Sequence, residues 1–142
     1  MVNLESIIKK RWLNKTNYQN DRAKCFSEDL NYDGPFNYTD SCICWVLLNQ
    51  VVGSIGKCNA FDSNFSLKGH LPQDRLISIK QAMGKGKLLP PVNLYKFNDE
   101  YYVMDGNHRV AAAKELGRFE IMAKIVELIP SNNTCCILDE NG

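Results

Sequence analysis

One stretch of the chain, residues 101 to 117, reads YYVMDGNHRVAAAKELG. Its first residues are aromatic and β-branched, as in a strand, and its last residues are alanine-rich, as in a helix. Gly106 lies between them and tolerates a positive φ, Asn107 is placed to cap the helix, and Gly117 is placed to end it. The stretch therefore predicts a strand that turns directly into a helix.

The residues on either side of this stretch predict further strands. Before it, the alternating segment Val92 to Phe97 and the turn Asn98-Asp99 predict a β-hairpin whose second strand is Tyr101 to Met104. After it, the apolar segment Ile121 to Leu128 predicts one more strand. The strand-turn-helix unit is therefore expected to lie within a small sheet.

Two more elements are expected upstream. The segment Gln73 to Met83 has one apolar side and is followed by Gly84, which predicts a helix. The run from Cys44 to Ile55 is apolar and partly β-branched, as in a buried strand, and glycines mark its end. Nearer the N-terminus, apolar residues recur at helical spacing over residues 3 to 16. Residues 17 to 41 are polar and rich in turn residues, which predicts an irregular segment with a short helix around residues 21 to 30 as the alternative.

The composition excludes some classes of protein. The chain has 142 residues, 17 Lys and Arg against 16 Asp and Glu, and a formal net charge of +1, which argues against DNA binding by bulk charge. It has no run of 18 or more apolar residues, so we expect no membrane partner. The N-terminal segment lacks the order of charges and the cleavage site of a secretory signal, so we expect a cytoplasmic protein.

The six cysteines do not have the spacing of a structural zinc site. Zinc sites favour cysteine pairs two to four residues apart, whereas the close pairs here are Cys42-x-Cys44 and Cys135-Cys136. A chain that has no export signal and is long enough to form a core more often uses its cysteines as small buried apolar residues. We therefore expect reduced cysteines and no metal bound by them.

The start of the predicted helix carries two side chains that favour an anion. A helix that begins directly after a glycine turn presents unpaired backbone N–H groups and the positive end of its dipole. His108 and Arg109 lie in that first turn, where acidic side chains would suit the dipole better, so an external anion would balance them. The alternative is that Arg109 only pairs with Asp105 and that His108 is a core histidine.

The wider pattern resembles the ParB N-terminal and sulfiredoxin superfamily. The resemblance covers residues from about 47 to 128 and lies in Leu89-Pro90-Pro91-Val92, the hairpin, the Asp105-Gly106-Asn107-His108-Arg109 box, and the alanine-rich helix with Leu116-Gly117. It implies an α+β fold, with a small mixed sheet flanked by helices. It also divides the chain into an N-terminal helical and irregular extension (1–46), the ParB/sulfiredoxin-like domain (47–130) and a C-terminal tail (131–142).

The resemblance also implies a site. By position, Gly106, Asn107, His108 and Arg109 would hold the phosphates of ATP, ADP or CTP, with Mg²⁺ as a further candidate, and Arg75, Ser78 and Lys80 on the preceding helix would form a second wall. Asp105 would orient Arg109 or approach a metal ion on the phosphates, and Asp105 and His108 are the candidate catalytic residues. Sulfiredoxin-like enzymes carry a nucleophilic cysteine where this chain has Asn107, so we do not expect sulfiredoxin chemistry.

Three functions are compatible with this pattern. The first is nucleotide binding, with kinase-like or ATPase-like phosphoryl transfer, or phosphate-ester hydrolysis, if the domain is catalytic. The second is a nucleic-acid-binding or nuclease module, in which the same residues hold a backbone phosphate of DNA. The third is a non-catalytic interaction domain. The sequence does not decide whether the protein is an enzyme, which nucleotide it takes, or its oligomeric state.

Overall fold

The structure is a computed structural model that describes residues 21–30, 32 and 34–131. The helix predicted over residues 3 to 16 lies outside the described residues, and so do Cys135 and Cys136. No helix among the described residues is both long enough and apolar enough to cross a membrane.

The described residues form seven strands and three α-helices. In chain order these are β1 (Lys24–Cys25), α1 (Phe26–Asp29), β2 (Phe36–Tyr38), β3 (Cys42–Leu47), β4 (Val51–Ser54), α2 (Asp74–Gly84), β5 (Val92–Phe97), β6 (Glu100–Asp105), α3 (Asn107–Glu115) and β7 (Glu120–Pro130). Two short 3-10 turns, Leu48–Gln50 and Cys58–Ala60, follow β3 and β4 respectively.

The strands form one mixed sheet in the order β1-β4-β6-β5-β7-β2, and β3 also pairs with β7. β4 runs parallel to β1 and β6, and β5 runs parallel to β7. The β5–β6 hairpin and the pairs that β2 and β3 make with β7 are antiparallel. The predicted α+β fold is confirmed.

Each face of the sheet has its own apolar cluster. On one face α2 and α3 pack over the strands, and the small side chains Ala111, Ala112 and Ala113 are buried in that cluster, where they let α3 lie close to the sheet. The other face is covered by aromatic side chains: Phe26 packs edge-on against Tyr102 at 5.2 Å, and Phe36 packs edge-on against Phe97 at 5.5 Å.

The hairpin turn has the backbone conformation that its two residues predict. Asn98 and Asp99 both have positive φ, 51° and 64°, as a two-residue hairpin turn that matches the strand twist requires. Both residue types tolerate this conformation because their short polar side chains can hydrogen-bond locally. The local sequence therefore predicted this hairpin correctly.

The start of α3 differs from the prediction in one residue. Gly106, with φ of 107°, is the N-cap, and Asn107 is the first helical residue. The glycine takes this position because the chain must turn sharply from β6 into α3, which a side chain at a positive φ would oppose. Asn107 is therefore not the capping residue, and its side chain is buried.

The segment upstream of residue 47 also needs correction. It is predicted to be irregular between residues 17 and 41, but β1 and β2 form within it and join the sheet, as does β3 immediately after it. The apolar run from Cys44 to Ile55 is also not one strand, because the 3-10 turn at Leu48–Gln50 separates β3 from β4. The predicted division of the chain at residue 47 is not tested by the structure and stays a prediction.

Two of the cysteines are joined. Cys25 and Cys58 are buried and form a disulfide between β1 and the 3-10 turn that follows β4. Cys42 and Cys44 are free thiols on β3, and both are exposed. The expectation of reduced cysteines is therefore wrong for Cys25 and Cys58, which the fold brings together across a sequence separation of 33. The expectation of buried cysteines is wrong for Cys42 and Cys44, which are exposed.

Candidate functional site

A small cleft opens where α3 begins. It encloses about 80 Å³. Its lining combines the box residues with residues of two other segments: Lys57, Arg75, Ile79, Asp105, Gly106, Asn107, His108 and Arg109. The backbone N–H of Val110 bonds to the Gly106 carbonyl at 3.0 Å, so the three N–H groups before Val110 have no acceptor inside the helix. The cleft therefore lies at the positive end of the α3 dipole.

Lys57 reaches the cleft from the turn after β4. The hydroxyl of the buried Ser54 accepts the Lys57 backbone N–H at 3.1 Å and is itself 3.4 Å from the Val103 carbonyl oxygen. This ties the turn to β6, the strand that leads into α3. The Lys57 side chain is exposed and has no ion-pair partner among the described residues.

Arg75 reaches the cleft from the first turn of α2. Helices α2 and α3 pack together on the sheet, and their first turns meet at this cleft. Arg75 is exposed, and within the described part of the chain it forms no salt bridge. The structure thus brings two unpaired cations, from separate segments, to one helix N-terminus.

Arg109 is held mainly by the protein itself. Its Nη1 donates to the carbonyl oxygens of Pro90 and Pro91, and its Nη2 lies 3.3 Å from Asp105 Oδ2. Asp105 therefore orients Arg109, which is one of the two roles expected of it. Because the guanidinium already has three acceptors, Arg109 mainly fixes the bend before α3 and adds positive charge at its edge.

His108 is half-buried and lies edge-on to Phe61, with ring centroids 5.6 Å apart. Burial lowers the pKa of His108, and the positive charges of Arg75 and Lys57 lower this pKa further. The imidazole is therefore neutral at pH 7, and it can donate one hydrogen bond and accept another.

Asn107 leaves one polar atom without a partner. The residue is 9% exposed, and its Oδ1 is buried with no hydrogen-bond donor within the described structure. Buried polar atoms are nearly always paired, because leaving one unpaired costs about 1–3 kcal/mol. The Oδ1 of Asn107 is therefore a buried acceptor beside this cleft that has no donor among the described residues.

Two predicted site residues do not reach the cleft. Ser78 is exposed on α2 outside the lining, and Lys80 Nζ lies 3.2 Å from Glu115 Oε1, where it pairs α2 with α3. Lys57 is not among the predicted binding residues, although it lines the cleft. The sequence signal for Lys57 is weak, because only the pairing of β4 with β6 brings that turn beside α3.

The chain is similar to several solved structures. Sulfiredoxin from Arabidopsis thaliana is 19% identical, with a TM-score of 0.46, over 59% of this chain and 83% of that chain. A free serine kinase in complex with AMP is 24% identical with a TM-score of 0.42, and a pNOB8-like ParB N-domain is 15% identical with a TM-score of 0.42. The matches cover 68% and 73% of this chain but only about a third, 34% and 32%, of those two chains. No curated protein matches the sequence.

The family comparison is more decisive than the structural ones. The model of the ParB N-terminal domain matches residues 58–142, which is more than half of the chain and includes the whole box from Asp105 to Arg109. The mixed sheet with helices α2 and α3 packed on one face is the fold that the resemblance implied. The chain belongs to the ParB N-terminal domain family.

Proposed function

We propose that the cleft at the start of α3 binds the phosphate groups of a nucleotide. The observation that carries this proposal is the convergence of Lys57 and Arg75, both without ion-pair partners in the described structure, on the free N–H groups of the first turn of α3. Helix dipole, backbone donors and side-chain charge all favour an anion at the same point. Among the described residues, Asp105 supplies the only carboxylate in the lining, and it already contacts Arg109.

The size of the cleft indicates which part of a nucleotide lies inside it. The cleft is small, about 80 Å³, so a phosphoryl group fits it better than a base or a sugar does. The nucleoside then lies outside, across the exposed side chains of Lys57 and Arg75.

ATP, ADP and CTP are the ligands to test first, with and without Mg²⁺. Asp105 is the residue that would approach a Mg²⁺ ion bridging the phosphates, because its side chain is exposed at the rim of the cleft. If the bound nucleotide is turned over, the chemistry is phosphoryl transfer or phosphate-ester hydrolysis, which needs mainly positioning and charge stabilisation. Asp105 is then the candidate base, and the neutral His108 is a donor to a phosphate oxygen.

Binding of a DNA backbone phosphate is the rival function, and the structure favours it less. The basic connector at residues 84–87 contributes Lys87 to a second cleft, beside Trp45, and Arg109 lines both clefts. No described residue of that connector lies in the lining at the start of α3, where Lys57 and Arg75 are. Nucleic-acid binding accordingly becomes an outcome that the following experiment can detect.

The test is calorimetric titration of the full chain with ATP, ADP, CTP, GTP, inorganic phosphate and a DNA duplex, each with and without Mg²⁺. We expect at least one nucleotide to bind, and we expect Arg75→Gln and Lys57→Gln each to weaken that binding at least tenfold. Each substitution removes one of the two unpaired charges that hold the phosphates. Bound nucleotide should also raise the thermal midpoint by mass action.

The matched control is Lys80→Gln. Lys80 is on the same helix as Arg75 and is also basic, but it pairs with Glu115 outside the cleft, so nucleotide affinity should stay unchanged. Equal effects of Arg75→Gln and Lys80→Gln would contradict the proposed site. Tight, steeply salt-dependent binding of the duplex without binding of any nucleotide would replace the proposal with the rival function.

A further inference from the structure

Strand β3 has an open edge. It pairs with β7 on one side, and no other described strand pairs with it. The backbone N–H of Leu48 donates to the Phe119 carbonyl at 2.8 Å, which sets the alternation of the antiparallel ladder. By that alternation the backbone groups of Cys42, Cys44 and Val46 bond to β7. The N–H and C=O groups of Ile43, Trp45 and Leu47 therefore point away from β7.

The residues whose backbone groups point away from β7 also carry large apolar side chains. These residues are Ile43, Trp45 and Leu47, with exposed fractions of 61%, 59% and 47%. The six residues of β3 include no charged residue, proline or glycine. Proteins normally prevent association at an edge strand by placing a charged residue or a proline on it, or by covering the edge. The edge of β3 thus presents both unpaired backbone groups and exposed apolar surface.

We propose that β3 pairs with β3 of a second copy of this chain, antiparallel, about a twofold axis at Trp45. Antiparallel pairing exchanges hydrogen bonds between residues whose backbone groups both point outward. With the axis at Trp45, Ile43 faces Leu47 of the other copy and Trp45 faces Trp45. This register is the one that pairs all three outward residues of both copies, and it joins the two sheets into one.

Charge favours this orientation. At the start of β3, Asp40 and Glu127 outnumber Lys124. Towards the other end, Lys87 and Arg118 outnumber Glu120 in a cleft of about 130 Å³ that Trp45 also lines. An antiparallel pair places the acidic end of each strand near the basic end of the other, twice. Parallel pairing would bring like charges together instead.

Further apolar surface is available beside the strand. A specific interface buries roughly 800 Å² on each partner, which is more than three side chains supply. Phe119 and Leu88 are both exposed, and they lie respectively just before β7 and in the lining of the cleft beside Trp45. The apolar surface that the second copy would cover therefore extends past β3.

The test is sedimentation velocity of the full chain over a concentration series, with a reducing agent present so that Cys42 and Cys44 cannot crosslink the copies. We expect a monomer–dimer equilibrium, and we expect Trp45→Lys to shift it to monomer, with at least a tenfold rise in the dissociation constant. The control is Ile77→Lys, because Ile77 is also exposed and apolar but lies on α2. It should leave the dimer unchanged.

Hydrogen exchange of the wild-type chain tests the same proposal without a substitution. The amides of Ile43, Trp45 and Leu47 should exchange more slowly at protein concentrations where the dimer forms, while those of Cys44 and Val46 stay equally protected. A monomer at every concentration, or a dimer that persists in folded Trp45→Lys, would overturn the proposal. The three amides could also be protected in a monomer, and deleting residues 132–142 could remove that protection. This result would show that the chain's own tail covers the edge, and it would equally overturn the proposal.

Discussion

At Gly106 the chain passes from β6 into α3 with a φ of 107°, and the space beside it is closed. A Cβ built there would lie 2.6 Å from Val92 Cγ1 and 2.9 Å from Val92 Cβ. We expect Gly106→Ala to lower the free energy of unfolding by about 2–4 kcal/mol, because backbone strain and a core clash add. Urea unfolding measures this loss.

Gly117 provides the control for Gly106. It also has a positive φ, 74°, but a Cβ there would meet nothing within 4 Å. Gly117→Ala should therefore lower the free energy of unfolding only by the cost of the left-handed conformation, about 1–2 kcal/mol. Equal losses at the two glycines would show that the contact with Val92 does not constrain the bend.

His108 should make stability depend on pH. Burial and the charges of Arg75 and Lys57 lower its pKa in the folded state, so the neutral form contributes stability that is fully present above the unfolded-state pKa of about 6.5. That contribution is lost as the pH falls from about 6.5 through the folded-state pKa, because the unfolded chain takes up the proton first. The stability advantage of wild type over His108→Gln should therefore shrink between pH 7.5 and pH 5.5, as measured by urea unfolding.

His70→Gln is the control for this pH dependence. His70 is exposed in the segment before α2, away from the lining of the cleft. His70→Gln removes the other histidine of the chain without changing the lining of the cleft. If the stability advantage of wild type over His108→Gln grew towards pH 5.5, the fold would stabilise the charged form of His108. That result would contradict the lowered pKa of His108.

Among elements, β1 depends most on a covalent link. It has only two residues. They pair with β4, Lys24 Nζ lies 3.0 Å from Glu100 Oε1, and the Cys25 backbone N–H donates to Asp29 Oδ2 at 2.6 Å. The Cys25–Cys58 disulfide closes a loop with a sequence separation of 33, for which chain entropy predicts about 3–4 kcal/mol of stabilisation. We expect reduction, or Cys58→Ser, to lower the free energy of unfolding by up to that amount.

Cys44→Ser is the matched control for the disulfide. Cys44 is an exposed free thiol, and replacing it should change stability by less than about 0.5 kcal/mol. Alkylation of the unreduced protein followed by mass spectrometry should find Cys42 and Cys44 modified and Cys25 and Cys58 unmodified. Full modification of Cys25 and Cys58 would contradict the disulfide. Reduction should then leave the free energy of unfolding unchanged.

The elements differ in how far the sequence predicts them. The hairpin, α2 and α3 are predicted within about one residue at each end, because turn residues, apolar spacing and glycines mark their limits locally. The break between β3 and β4 is not predicted, because both strands are apolar and no turn residue pair separates them. The break follows from pairing: β3 runs antiparallel to β7, whereas β4 lies parallel to β6.

For the whole molecule, the site is the joint product of three segments. The box from Asp105 to Arg109 is contiguous, so its turn, its free N–H groups and the Asp105–Arg109 pair follow from near neighbours in sequence. Lys57 and Arg75 come from other segments, and only the sheet order and the packing of α2 on α3 bring them there. The same limit applies to Ser78 and Lys80. They lie on α2 only a few residues after Arg75, but the direction of each side chain around the helix axis decides whether it enters the cleft.

The proposed dimer belongs to this scale as well. The sequence marks β3 as apolar, but an apolar strand can equally be central and buried. Its place at an edge depends on which strand lies beside β7, and this is a long-range pairing. The exposure of Ile43, Trp45 and Leu47 is therefore a property of the assembled sheet.

By itself the sequence determined the hairpin, the glycine bend, the helices α2 and α3 and, through the resemblance carried by the box, the fold class and the family. These features depend on backbone conformation and on spacing over a few residues, which local physics controls. The tertiary structure alone decided the Cys25–Cys58 link, the entry of Lys57 into the cleft and the open edge of β3. Each of these joins residues that are distant in sequence, and no local preference specifies such contacts, because they form only when the whole sheet is assembled.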